Sequence, residues 1–141
     1  MNKLKLMIVD DEELILKSLK KYFDKMGKFE TIVFTNPIEA LEYVKKDKIH
    51  IALLDIQMPE INGIDILREI KTIDPLVQVI MMTAYSSLNR ILLAFELGAN
   101  DYIIKPFKSL DYVAEIIDHT IKKLERWKDI FRLSVKSGGE L

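Results

Sequence analysis

The feature of this chain that most narrows its fold is a regular alternation of two periodicities. Five short, mostly uncharged apolar runs, at residues 4–9, 31–34, 51–54, 77–83 and 102–105, are separated by stretches whose apolar residues recur every three or four positions. A short continuous apolar run suits a strand buried on both faces, and the longer spacing suits an amphipathic helix. Strands and helices that alternate in this way form a parallel sheet covered by helices on both sides, joined by right-handed crossovers. The expectation is an α/β domain with five strands and five helices.

Local signals mark the helices. Ile15, Leu19, Tyr22, Phe23 and Met26 trace one face of the first, which Gly27 stops. Asn36-Pro37 supplies a cap and a first-turn proline for the second, with Leu41 and Val44 inward. Asn62-Gly63 opens the third, whose inner residues are Leu67 and Ile70 and which ends before Pro75. The fourth is expected from about Ser87 to Leu97, closed by Gly98, and Ser109 with Asp111 starts the fifth. This last helix is long for such a fold. Leu110, Val113, Ile117, Ile121, Leu124, Trp127 or Lys128, Phe131 and Val135 form a heptad-like seam that outruns the expected sheet. The division expected is a domain over residues 1–120 and, over 121–141, a helical extension with a short tail. That extension reads equally as a dimerising helix or connector to an output domain, and as a terminal helix whose later half frays.

In doubly wound sheets, ligands bind at the carboxyl ends of strands where the winding reverses. For strand order 2-1-3-4-5 that point lies between the first and third strands. Asp10 and Asp11 follow the first of these and Asp55 the third, so three carboxylates are expected at one point. Close carboxylates repel, and one is pushed to a higher pKa unless a cation joins them. An all-oxygen set without sulfur or imidazole suits Mg²⁺. Thr83 ends the fourth strand, and Lys105-Pro106 ends the fifth, adding a hydroxyl and an ammonium to the same rim. These groups fit phosphoryl transfer, with cations neutralising the equatorial oxygens and a carboxylate as nucleophile.

Composition removes other classes. A net charge of −1 over 141 residues gives no overall field for nucleic acid or an anionic membrane. Without cysteine there is neither disulfide nor thiolate metal site. No apolar run approaches the ~18 residues of a membrane helix, and the acidic block at residues 10–13 comes too early for a signal peptide. The expected location is the cytoplasm. His50 has no acidic or histidine partner near it in sequence, His119 lies among charges, and neither is read as a ligand or phosphate carrier.

Four segments, IVDDEE, LLDIQMPEINGID, MMTAYSS and DYIIKPF, each stand at a strand end in this order. Together they resemble the receiver domain of two-component response regulators, from Leu4 to about Thr120. The resemblance implies a flavodoxin-like (βα)5 fold with sheet order 2-1-3-4-5. It implies a phosphorylation-activated switch that catalyses only its own phosphorylation and dephosphorylation. Asp55 would accept the phosphoryl group from a sensor histidine kinase or phosphotransfer protein. Asp11, Asp55 and the backbone carbonyl of Gln57 would hold Mg²⁺, with Asp10 acting mainly through a metal-bound water. Lys105 would pair first with Asp55 and then with a phosphoryl oxygen. Thr83 would move to bind another oxygen, and Tyr102 would rotate inward behind it. Lys105–Pro106 would be a cis peptide. Gln57 and Tyr85 would flank the site. Partners would read the fourth helix, fifth strand and fifth helix, and a homodimer would form there or through the extended last helix, with no direct nucleic-acid or membrane contact.

Two rivals, an enzyme and a binding module that is either a flavodoxin or a pseudo-receiver, carry specific costs. A phosphatase of the haloacid dehalogenase type places a second acid two residues beyond its nucleophile after the first strand, whereas Asp10 and Asp11 are adjacent and residue 12 is Glu. A flavodoxin needs a Ser/Thr/Gly-rich phosphate loop where this chain reads DDEEL. A phosphorylation-independent pseudo-receiver usually lacks one of the acids, the hydroxyl or the lysine, and this chain has them all.

Overall fold

A computed structural model of the chain describes residues 3–58, 61–84 and 88–136. Tyr85 and the expected helix start at Ser87 lie outside these residues. Strands β1 (Leu4–Val9), β2 (Phe29–Phe34), β3 (Ile51–Asp55), β4 (Gln78–Thr83) and β5 (Asp101–Ile104) alternate with helices α1 (Glu13–Met26), α2 (Pro37–Lys46), α3 (Gly63–Ile73), α4 (Leu88–Glu96) and α5 (Leu110–Lys136). The strands form one parallel sheet in the order β2-β1-β3-β4-β5. The expected architecture is therefore present.

Each strand feeds both faces of the sheet. Met7, Val9, Ala52, Leu54, Val79 and Met81 point into one buried layer with α2 and α3 residues such as Val44, Leu67 and Ile70. Leu6, Ile8, Leu53, Ile80 and Met82 point into the other, against Leu19 and Phe23 of α1 and Val113 and Ile117 of α5. Two-sided burial is why the central strands read as continuous apolar runs.

The caps follow the sequence. The Asn36 side chain accepts from the Ile38 N–H at 2.8 Å and that of Asn62 from the Asp65 N–H at 3.0 Å. Ser109 Oγ accepts from the Tyr112 N–H at 3.0 Å. Gly27 ends α1 in the left-handed region at φ 72°. The inward face of α1 holds the expected Leu19 and Phe23, with Ile15 and Tyr22 packed partly buried beside them, and departs from the expectation at two positions. Leu16 is 4% exposed while Met26, expected inward, is 42% exposed. Among the described residues, no helix is long and apolar enough to cross a membrane.

Helix α5 has 27 residues, a rise of ~40 Å, whereas a six-residue strand spans ~20 Å. The helix therefore outruns the sheet it packs on. Its burial runs through Val113, Ile117, Thr120 and Ile121 to Leu124, and Trp127, Ile130 and Phe131 beyond are about half exposed.

Candidate functional site

Strand register builds the site. Val9 pairs with Leu54, so Asp10 and Asp55, the next residue on each strand, stand level. Asp55 pairs with Met82 and Thr83 with Ile104, so Thr83 and Lys105 follow one step further along the same rim. Asp10, Asp55, Thr83 and Lys105 are all buried, and Asp11 is exposed. One carboxylate oxygen from each of Asp10, Asp11 and Asp55 lies within 4.8 Å of the others. The Lys105 ammonium is 2.5 Å from Asp10 Oδ2 and 3.5 Å from Asp55 Oδ2. Lys105–Pro106 is a cis peptide.

Turns after the strands hold the two buried carboxylates. Asp10 Oδ1 accepts from the Glu12 N–H at 2.9 Å, and Asp55 Oδ1 accepts from the Gln57 N–H at 3.2 Å. Each aspartate thus closes a local turn and keeps its second oxygen for the site. The Lys105 N–H donates to the Thr83 carbonyl at 2.8 Å, fixing the β5 end against β4.

Burial dominates the electrostatics. It pushes the Asp55 carboxyl up from 3.8 to about 6, helped by the neighbouring Asp10 charge and opposed by Lys105. Burial also raises Asp10, against the hydrogen bond from Lys105. At Lys105 burial disfavours the charge, but Asp10, Asp55 and Glu12 outweigh it and the ammonium is held above its ordinary pKa. Two buried carboxylates and an exposed third share one buried ammonium. The pocket has room in its charge balance for a further cation, and its donors are all hard oxygens. The residues present therefore fit a divalent ion such as Mg²⁺.

A model of the response regulator receiver domain matches residues 6–117. The chain belongs to this family. The receiver domain is 41% identical over 103 residues to sporulation initiation phosphotransferase F of Bacillus subtilis, a match covering 73% of this chain and 82% of that protein. It is 35% identical over 129 residues to regulatory protein AtoC of Escherichia coli, covering 92% of this chain but only 28% of the relative. The fold is similar to a CheY-like receiver domain protein from Methanospirillum hungatei, with a TM-score of 0.85 at 28% identity, covering 89% of this chain and 98% of that one. As a receiver domain the chain is a signalling module of two-component systems.

The residues singled out in the sequence are brought together in part. Asp10, Asp11, Asp55 and Lys105 converge, and Thr83 stands on the same rim. Lys105 sits nearer Asp10 than Asp55, whereas the family resemblance implied pairing with Asp55. Gln57 follows Asp55 in the adjoining turn. Tyr102 is half-buried against the layer under α3 and α4. His50 is structural: its Nδ1 accepts from the Lys5 N–H at 2.9 Å, and burial, then the Lys128, Lys48 and Lys5 charges, lower its pKa. His119 is exposed.

Two features escaped the sequence reading. Glu12, which stands at the start of α1, places Oε1 3.5 Å from the Lys105 ammonium. Gly63 was read only as a helix opener. A Cβ there would lie 2.1 Å from the Asp55 carbonyl oxygen, so α3 approaches the acidic strand end through a position that only glycine can fill. The signal was the Asn-Gly pair, but a turn explains that pair equally well until the packing is seen.

Proposed function

We propose that this receiver domain is a phosphorylation-activated switch in which Asp55 is the phosphoacceptor. The observation that carries the reading is a buried carboxylate flanked by two others and faced by a buried ammonium. A sensor histidine kinase or phosphotransfer protein would supply phosphohistidine. As the P–O bond to an Asp55 oxygen forms, the P–N bond breaks and imidazole leaves. Asp10, Asp11 and Asp55, with the Gln57 carbonyl, would hold Mg²⁺, which supplies neutralising charge for the transferring group. Lys105 would leave Asp10 for a phosphoryl oxygen, and the Thr83 hydroxyl would donate to another. The product is a mixed anhydride, so hydrolysis returns the switch to its resting state without a separate enzyme.

A switch of 1:99 to 99:1 requires ~5.5 kcal/mol of preference for the active state. Two or three charge-assisted hydrogen bonds at ~1.5–3 kcal/mol each supply that order. Tyr102 would follow Thr83 inward, and the α4-β5-α5 face would carry the change to a partner or to a second copy. Leu92, Phe95 and Ile104 are already exposed on this face. Residues 1–120 would form the switch itself, acting in the cytoplasm, and 121–136 a separate contact element.

The test is labelling with acetyl phosphate, with and without Mg²⁺, read by mass spectrometry. One Mg²⁺-dependent phosphoryl group per chain is expected, lost in Asp55→Asn. Labelling of Asp55→Asn at the parent rate would remove Asp55 from the mechanism. Continuous turnover of a generic phosphate ester would replace the switch by an enzyme.

A further inference from the structure

Beyond the sheet, α5 offers a surface that the phosphoryl chemistry does not use. Its seam continues in register past Leu124 with Trp127 and Phe131, whose rings stack at 6.0 Å between centroids. Both are about half exposed, because the sheet that covers the earlier seam has ended. Lys123, Arg126, Trp127 and Ile130 line a groove of about 270 Å³ on this segment. It has an apolar floor and cationic walls.

The charge is just as segregated. Residues 121–136 carry six lysines and arginines against two acids, while residues 1–120 carry fifteen against nineteen. Asp129 pairs with Arg132 at 2.5 Å and Asp118 with Lys122 at 3.1 Å. Among the described residues no carboxylate forms an ion pair with Lys123, Arg126 or Lys128. Lys128 also lies near enough to His50, with Lys5 and Lys48, for all three to depress its pKa. The positive potential thus continues from the helix onto the end of the sheet opposite the acidic site.

We infer that the α5 extension is a docking site for an acidic amphipathic helix of a partner protein. With Leu124 and Phe131 at a positions and Trp127 at d, Lys123 and Lys128 are the g and e residues that border the seam on either side. In a parallel pair of identical helices, Lys123 of one copy would face Lys128 of the other, on both flanks. A helix with glutamates at e and g meets the same two lysines with opposite charge and covers the same aromatic pair. Lys123 and Lys128 border the stripe, and on the far face Glu125 and Asp129 interrupt the cations Lys122, Arg126, Arg132 and Lys136, a mixed pattern that favours a partner helix over an anionic lipid surface.

Trp127 is the only tryptophan in the sequence, so its emission reports on this surface directly. The probe is a synthetic three-heptad peptide with leucine at a and d and glutamate at e and g. Its control carries lysine at e and g. With the whole chain at low salt, the acidic peptide is expected to blue-shift Trp127 and to bind at least about tenfold more tightly than the control, a margin that narrows as salt is added. The double variant Lys123→Glu, Lys128→Glu, one exposed and the other partly so, should reverse the preference. Equal or absent binding of the two peptides would overturn the inference. So would a Trp127 shift produced by phosphatidylglycerol vesicles and not by the acidic peptide, or by concentrating the protein alone with dimer formation in sedimentation. None of these readouts depends on Asp55 accepting phosphate.

Discussion

Replacing Asp55 with asparagine should make the metal-free domain more stable while it removes the proposed acceptor. The folded protein holds the Asp55 carboxyl at about 6 against an ordinary 3.8. Each pKa unit corresponds to ~1.36 kcal/mol, so keeping this group ionised at neutral pH costs the fold up to ~3 kcal/mol. Asparagine has the shape of the protonated carboxyl and no charge, and can still accept from the Gln57 N–H. Its amide hydrogens face the Lys105 ammonium and take back part of the gain, leaving ~2 kcal/mol. The sign depends on pH. A carboxyl with a raised folded-state pKa favours folding below about 3.8, where it is protonated in both states, and that contribution is lost as pH rises through about 6. The advantage of Asp55→Asn should therefore be full at pH 7.5, shrink as pH falls through 6, and vanish near pH 4. Urea denaturation followed by circular dichroism in EDTA measures it, and thermal unfolding should rise by roughly 4–8 °C at pH 7.5. Mg²⁺ should stabilise the parent by about 2.7 kcal/mol at a hundred times its dissociation constant and the variant far less. A variant no more stable than the parent at pH 7.5, or an advantage that does not change between pH 7.5 and 4, would refute this account of the pocket.

Other perturbations separate parts of the argument. Lys105→Met should destabilise the metal-free protein by ~3–5 kcal/mol at pH 7, because it strips the buried Asp10 carboxylate of its ion pair, with partial recovery in Mg²⁺; equilibrium unfolding decides. Gly63→Ala should cost ~2–4 kcal/mol and slow labelling by acetyl phosphate, because its Cβ meets the Asp55 carbonyl. Gly27→Ala, at φ 72° with nothing near its Cβ, should cost only ~1–2 kcal/mol and leave labelling intact. Leu124→Ala should cost ~2–4 kcal/mol and Phe131→Ala under ~1, since one is 4% and the other 45% exposed; equal costs would mean that the core does not end at Leu124.

The sheet was legible because its strands are buried on both sides and so carry unbroken apolar runs. Boundaries moved where that signal thins. At the edge strand β2, Phe29 is buried and Glu30 exposed, and the alternation hid two residues of the strand. On α1 the sequence reading missed Leu16, which packs more deeply than the neighbouring Ile15, because both offer an apolar side chain and only packing ranks them. At the site, the strand ends named the carboxylates, the hydroxyl and the ammonium, since each lies at the end of an apolar run or within two residues of it. The nearer pairing of Lys105 with Asp10 and the close approach of Gly63 to Asp55 depend on distances across strands and between layers. No spacing along the chain encodes those distances. The same holds for Glu12, whose helix-end position and reach toward Lys105 are identical in sequence.

The level pairing of Val9 with Leu54, and of Thr83 with Ile104, has a consequence for how this chain can change length. Adding one residue inside β1, β3, β4 or β5 would turn a reactive side chain to the opposite side of the sheet, even if every apolar contact were remade. Adding one in a surface loop at the opposite end of the sheet would leave the rim as it is. Insertions and deletions should therefore gather in those distal loops, and the four strands that present reactive groups should hold their lengths to the residue.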